Sequence, residues 1–133
     1  MKLSARSEYA LLALVHLVRQ PSQTPVSLQE IARVQQIPPK FLEQIFLSLR
    51  RAGVLHSSKG PQGGYWLGRP AAEITLAEIV RLFDGALAPT ESVSRHFYGK
   101  TPVEREEPLL QVFREIRDVV AARMESTTLA DVA

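Results

Sequence analysis

The 133-residue chain contains no cysteine. That absence removes disulfide frameworks, thiolate zinc fingers, cysteine-ligated iron–sulfur clusters and thiol nucleophiles together. Apolar length is also short: the run from Tyr9 to Val18 is half of the roughly 20 residues that a bilayer span requires. Met1 to Arg6 carries no signal-peptide pattern, so a soluble, cytoplasmic protein is expected, with no membrane partner. Enzymatic signatures are missing as well. There is no nucleophile–base pair at useful spacing, no phosphate loop opening a helix, and no histidine or carboxylate spacing that matches a metal site, so no cofactor is expected. The length admits one domain, or a small module with an appendage.

Net charge is only +2, yet it is unevenly distributed. Residues 1–70 hold nine basic and three acidic side chains, net +6, whereas residues 71–133 hold seven basic and eleven acidic ones, net −4. A basic front half on a nearly neutral chain points to an anionic partner for that half, with double-stranded DNA the leading candidate.

Between Tyr9 and Val18 nearly every position is apolar and neither glycine nor proline intervenes, which predicts a helix from Arg6 to Arg19 buried on most faces. Pro21 and Pro25 bracket a turn. Ser27 with Glu30 forms a capping-box pattern that opens a short second helix to about Gln36. Pro38-Pro39 closes it and restarts a third, which runs to Ala52 with Gly53 as its stop. Leu42, Ile45, Phe46 and Leu49 make its inward stripe, while Lys40, Gln44, Ser48 and Arg51 share the outer face, flanked by Glu43 and Arg50. Val54–Ser57, then Ser58–Gly64, then Tyr65–Leu67 read as strand, glycine-rich loop, strand. Three helices followed by a hairpin with a basic tip are the parts of a winged helix-turn-helix. The fold class is therefore mainly α with a small β-hairpin wing.

Thr75 with Glu78 opens a fourth helix that should stop at Gly85. Residues 86–103 look irregular and are placed to form or gate a pocket for a small-molecule or protein effector. From about residue 104 to 125 a long helix presents Leu109, Val112, Phe113, Ile116, Val119, Val120 and Met124 on a wide apolar face. Sixty residues with one long helix cannot enclose a core, so this face predicts a homodimer; folding back onto residues 9–18 is the alternative. Thr127 or Thr128 can cap a last short turn. The expected division is residues 1–70 as the winged helix-turn-helix and 71–133 as connecting helix, loop and dimerisation helix.

Leu3-Ser4 to Tyr9-Ala10, Leu42-Glu43-Gln44, and above all Lys59-Gly60-Pro61-Gln62-Gly63-Gly64-Tyr65-Trp66-Leu67 resemble the Rrf2 family of bacterial transcription regulators, closely so over residues 1 to about 85. The resemblance implies a dimeric winged-helix protein whose third helix enters the major groove and whose wing reaches the minor groove. Many members hold an iron–sulfur cluster on three cysteines in the loop before the dimerisation helix. Here that loop has none, so the likeness is to clusterless members and cluster sensing does not carry over.

The candidate contacts follow. Lys2, Arg6, Lys40, Arg50 and Arg51 are placed to neutralise phosphates near the helix starting at Pro39. Gln44 suits adenine and Glu43 suits cytosine N4, although Glu43 can instead pair with Lys40 or Arg50. Phe41 can press on a sugar or thymine methyl, or pack inward. In the wing, Ser58, Lys59, Gly60, Gln62 and Gly63 form a tip able to approach the minor groove, the glycines removing any Cβ from the path. Tyr65 and Trp66 must face opposite sides, with Trp66 the expected core residue. The protein is read as a sequence-specific regulator, a repressor on a pseudo-palindromic operator; a winged-helix module that binds protein through an apolar patch is the alternative.

Overall fold

The computed structural model describes residues 1–133 and contains six α-helices and one two-stranded antiparallel sheet. Helix α1 (Ala5–Val18) starts at Ser4, whose side chain accepts the Ser7 N–H. It buries Ala10, Ala13, Leu14 and Leu17 but leaves Leu12 exposed, so it is wrapped on one side and not all round. Ser27 caps α2 (Leu28–Gln35) by accepting the Glu30 N–H. Only half of the expected box forms, because the Glu30 carboxylate takes Arg33 at 3.0 Å instead. The same happens at α4 (Leu76–Asp84): Thr75 accepts the Glu78 N–H, while the Glu78 carboxylate pairs with Arg69. A complete box appears at α6 (Leu129–Val132), between Thr128 and Asp131.

Gln36 ends α2 in a left-handed conformation, and Pro38-Pro39 opens α3 (Pro39–Arg51). Leu42, Ile45, Phe46 and Leu49 are fully buried, as their spacing requires. Gly53, at φ 78°, ends the helix while the Val54 N–H returns to the Leu49 carbonyl at 3.0 Å. Strands β1 (Leu55–Ser58) and β2 (Gly64–Leu67) then pair, Leu55 with Leu67 and Ser58 with Gly64. A third segment joins them. Val26 exchanges two backbone hydrogen bonds with Tyr65, of 3.0 and 2.8 Å. A Cβ on Gly64 would lie 2.5 Å from the Val26 carbonyl oxygen, so only glycine permits that approach.

One main core runs through the winged helix and beyond residue 70: Ile74, Ile79 and Leu129 belong to it. The chain after α5 (Glu107–Glu125) returns to close it, with Leu76 N–H bonded to the Thr127 carbonyl and Leu129 N–H to the Ile74 carbonyl, both 2.9 Å. Residues 86–103 pack a small apolar cluster with α5. Ala88 and Val93 are buried with Leu110, the Thr101 hydroxyl donates to Ser92 at 2.7 Å, and Arg117 holds the Val93 carbonyl at 3.0 Å.

The apolar residues of α5 divide between two surroundings within the chain. Phe113 packs on the cluster of Ala88, Val93 and Leu110, and Met124 on that of Ala77, Val80 and Leu87. Val120 is half-buried. Leu109, Val112, Ile116 and Val119 remain exposed, Val119 by 71%. No helix is long and apolar enough to cross a membrane.

Candidate nucleic-acid interface

The outer face of α3 carries Lys40, Glu43, Gln44, Leu47, Arg50 and Arg51, all exposed. Its first turn contains no acidic residue and no side chain caps it, so the N–H groups that follow Pro39 are open to an anion. Glu43 forms no ion pair with Lys40 or Arg50, and the Gln44 amide makes no hydrogen bond within the chain, which leaves both edges available for base contacts. Leu47 lies one turn from Gln44 and Arg51 and is 44% exposed. It was not singled out by its sequence pattern, since a leucine beside a core stripe reads as core; its position between outer-face residues is the signal that could have found it.

Lys2, Arg6, Lys40, Arg51 and Lys59 are exposed and take part in none of the ion pairs of the chain. Residues 71–133 are more fully paired: four of their seven basic side chains, Arg81, Arg95, Arg114 and Arg117, meet a carboxylate, against two of nine, Arg33 and Arg69, in residues 1–70. The excess positive charge of the front half is therefore uncompensated where it would meet an anionic partner.

Two of the candidate residues have roles within the fold. Phe41 is set edge-on against Tyr9, with ring centroids 5.5 Å apart and planes at 83°, and belongs with the core. Its Cβ vector lies beside the buried stripe of α3, and an aromatic ring there gains more from the protein interior than from solvent. At Gly63 a Cβ would collide with the Ser58 carbonyl oxygen, so this glycine serves the hairpin's own tight turn. Gly60, at φ 97° with nothing near its Cβ position, is the glycine at the open tip. Arg50 also has an internal partner. Its guanidinium donates to the Ser57 hydroxyl at 3.2 Å, tying the end of α3 to β1.

A groove of about 510 Å³ runs between α3 and the wing, lined among others by Glu43, Ser58 and Gly60. Ser27 and Gln29, at the start of α2, also line it and extend the surface beyond the residues the sequence picks out. Tyr65, which also lines it, packs tilted on Phe46 with ring centroids 4.7 Å apart, while Trp66 lies on the opposite face against His56. The core aromatic is thus Tyr65, the reverse of the expectation.

The start of α1, which carries Lys2 and Arg6, is held by Asp84 at the end of α4. Its carboxylate accepts the Ser4 N–H at 3.0 Å and the Ser7 hydroxyl at 2.8 Å. Partial burial raises the Asp84 pKa, but the hydrogen bonds from Ser4 and Ser7 together outweigh it and hold the carboxyl below its ordinary value.

A helical trio with a solvent-facing reading helix, an uncompensated cationic surface and a glycine-tipped hairpin defines a winged-helix DNA-binding protein. A family profile described as an iron-dependent transcriptional regulator, Rrf2, matches residues 3–133. The chain is 34% identical over 133 residues to the HTH-type transcriptional regulator CymR of Bacillus subtilis, covering 100% of this chain and 90% of that protein. The structure of CymR, the global cysteine regulator of B. subtilis, superposes with a TM-score of 0.81 at 33% identity, covering 100% and 96% of the two chains. That of IscR from T. potens gives 0.76 at 30% identity, covering 99% and 85%. The chain belongs to the Rrf2 family of transcriptional regulators; it is not an enzyme.

The iron dependence in the family's description does not suit this chain's donors. Without cysteine, an iron–sulfur cluster lacks its thiolates, and no three His, Asp or Glu side chains gather to replace them.

Proposed function

We propose that the protein is a cytoplasmic homodimer that binds a pseudo-palindromic operator and represses transcription without an iron–sulfur cluster. The observation that carries this reading is the set of exposed, unpaired cations distributed over α3, the wing and the start of α1. In this arrangement α3 lies in the major groove, with Gln44 and Glu43 facing base edges and Lys40 and Arg51 on phosphates. Lys59 at the wing tip meets the minor groove, where a narrow A·T tract concentrates negative potential.

Dimerisation is supported by α5. Leu109, Val112, Ile116 and Val119 follow a three-four-three spacing, the repeat by which one helix packs along another. Two copies related by a two-fold axis present two α3 helices to successive major grooves, and occupation of such a site near a promoter blocks transcription. Selection of genomic DNA fragments by the purified protein at moderate salt, followed by sequencing, tests the proposal. A two-fold symmetric motif is the expected result, with a reporter under that motif rising when the gene is deleted. Diffuse, purely salt-dependent binding to all fragments contradicts it.

A further inference from the structure

A second concavity, on the far side of the wing from α3, lies outside the surface described above. It encloses about 370 Å³ between the end of α1, the turn that follows it, and the stretch leaving β2. This is within the range of small-molecule pockets. Leu17, Val18 and the Trp66 indole supply apolar wall, and Gln20 and Gln23 stand among the polar lining residues. One charged side chain lines it, Arg69, and its guanidinium is already bonded to Glu78.

The hydrogen-bonding groups are uncommitted in both senses. Gln20 donates to the His16 carbonyl through Nε2 and keeps its own carbonyl oxygen, while neither the Gln23 amide nor the Trp66 indole N–H is bonded within the chain. Gln23 also stands at φ 60°, in a turn closed by Thr24 N–H to the Pro21 carbonyl at 3.1 Å. That position favours glycine on backbone grounds, and Gln23 is exposed at the mouth of the cleft. Unlike Gln36, it terminates no helix.

We propose that this cleft binds a small, neutral heteroaromatic molecule, its ring face against Trp66 and its N–H and ring-nitrogen edge bonded to Gln20 and Gln23. An aromatic wall suits a flat ring, paired donors and acceptors suit a heterocyclic edge, and the pairing of Arg69 with Glu78 cancels its net charge, which weakens the pull on carboxylates and phosphates.

Trp66 is the sole tryptophan, so its indole N–H gives one resolved signal in a ¹H–¹⁵N spectrum. Adenine and benzimidazole, neutral at pH 7.5, are the probes, with benzoate as a flat anion of similar size. A saturable shift of the Trp66 signal is expected with at least one neutral probe and not with benzoate. Gln23→Gly, which suits the backbone and preserves the fold, should weaken that probe about fivefold, the equivalent of one hydrogen bond. The proposal fails if neither neutral probe saturates, if benzoate binds as tightly, or if Gln23→Gly leaves the affinity unchanged.

Discussion

The Asp84 carboxylate accepts the Ser7 hydroxyl at 2.8 Å, so the last residue of α4 is fastened to the first turn of α1 across 77 positions of sequence. Ser7 is fully buried, and the same carboxylate oxygen takes the Ser4 N–H. The segment that presents Lys2 and Arg6 is thereby anchored to the helix that leads toward the second half of the chain.

Because the folded state lowers the Asp84 pKa, its contribution to stability is present above the unfolded value of about 3.9 and is lost as pH falls through the lower folded value. Asp84→Asn should destabilise the protein at pH 7 by about 1 kcal/mol, a modest figure because the carboxylate is half-exposed. The gap between wild type and variant, measured by urea denaturation, should narrow below pH 4. A gap that persists unchanged to pH 2.5 contradicts the role assigned to the charge.

Lys40 and Lys59 are free of ion pairs and expected on phosphates or in the minor groove. Replacing both with alanine should lower the slope of log affinity against log salt by about 2, since each lost phosphate contact removes roughly 0.9. Binding measured from 50 to 200 mM salt checks this, and an unaltered slope would place both residues off the DNA.

Arg50 and Ser57 link α3 to the wing. Arg50→Ala and Ser57→Ala should each weaken operator binding, and the double variant should lose less than the sum, with a coupling of about 0.5 kcal/mol for this solvent-facing hydrogen bond. Strict additivity in a binding cycle would show that the bond does not position the wing.

The two sets of apolar residues on α5 should separate experimentally. Val119→Glu, at an exposed position, should shift sedimentation toward the monomer and lower the thermal midpoint only by the share that dimerisation supplies, a difference that shrinks as protein concentration falls. Phe113→Ala, in the intrachain cluster, should instead cost about 2–4 kcal/mol of stability. Sedimentation that is identical for wild type and Val119→Glu removes this stripe from the dimer interface.

The sequence by itself determined whatever rests on neighbours within a few positions. Ser27 and Thr75 announce their helices because a cap is a contact three residues long, and Gly53 and Gly85 stop theirs because positive φ is cheap only for glycine. The stripe of Leu42, Ile45, Phe46 and Leu49, the glycine-rich wing and the front-half charge were legible in the same way, and with them the family. Tertiary structure decided what local pattern leaves open. Alternation in a strand states that Tyr65 and Trp66 face apart but not which meets Phe46; that follows from the register and from the Val26 bridge. A helix with apolar residues around more than half its girth does not say which belong to its own core, so only the packing of Ala88, Val93 and Leu110 claims Phe113 and releases Val119. The Asp84–Ser7 bond and the return of Leu129 to the main core join residues far apart in the chain, where no periodicity reaches and only the closing of the fold brings the partners together.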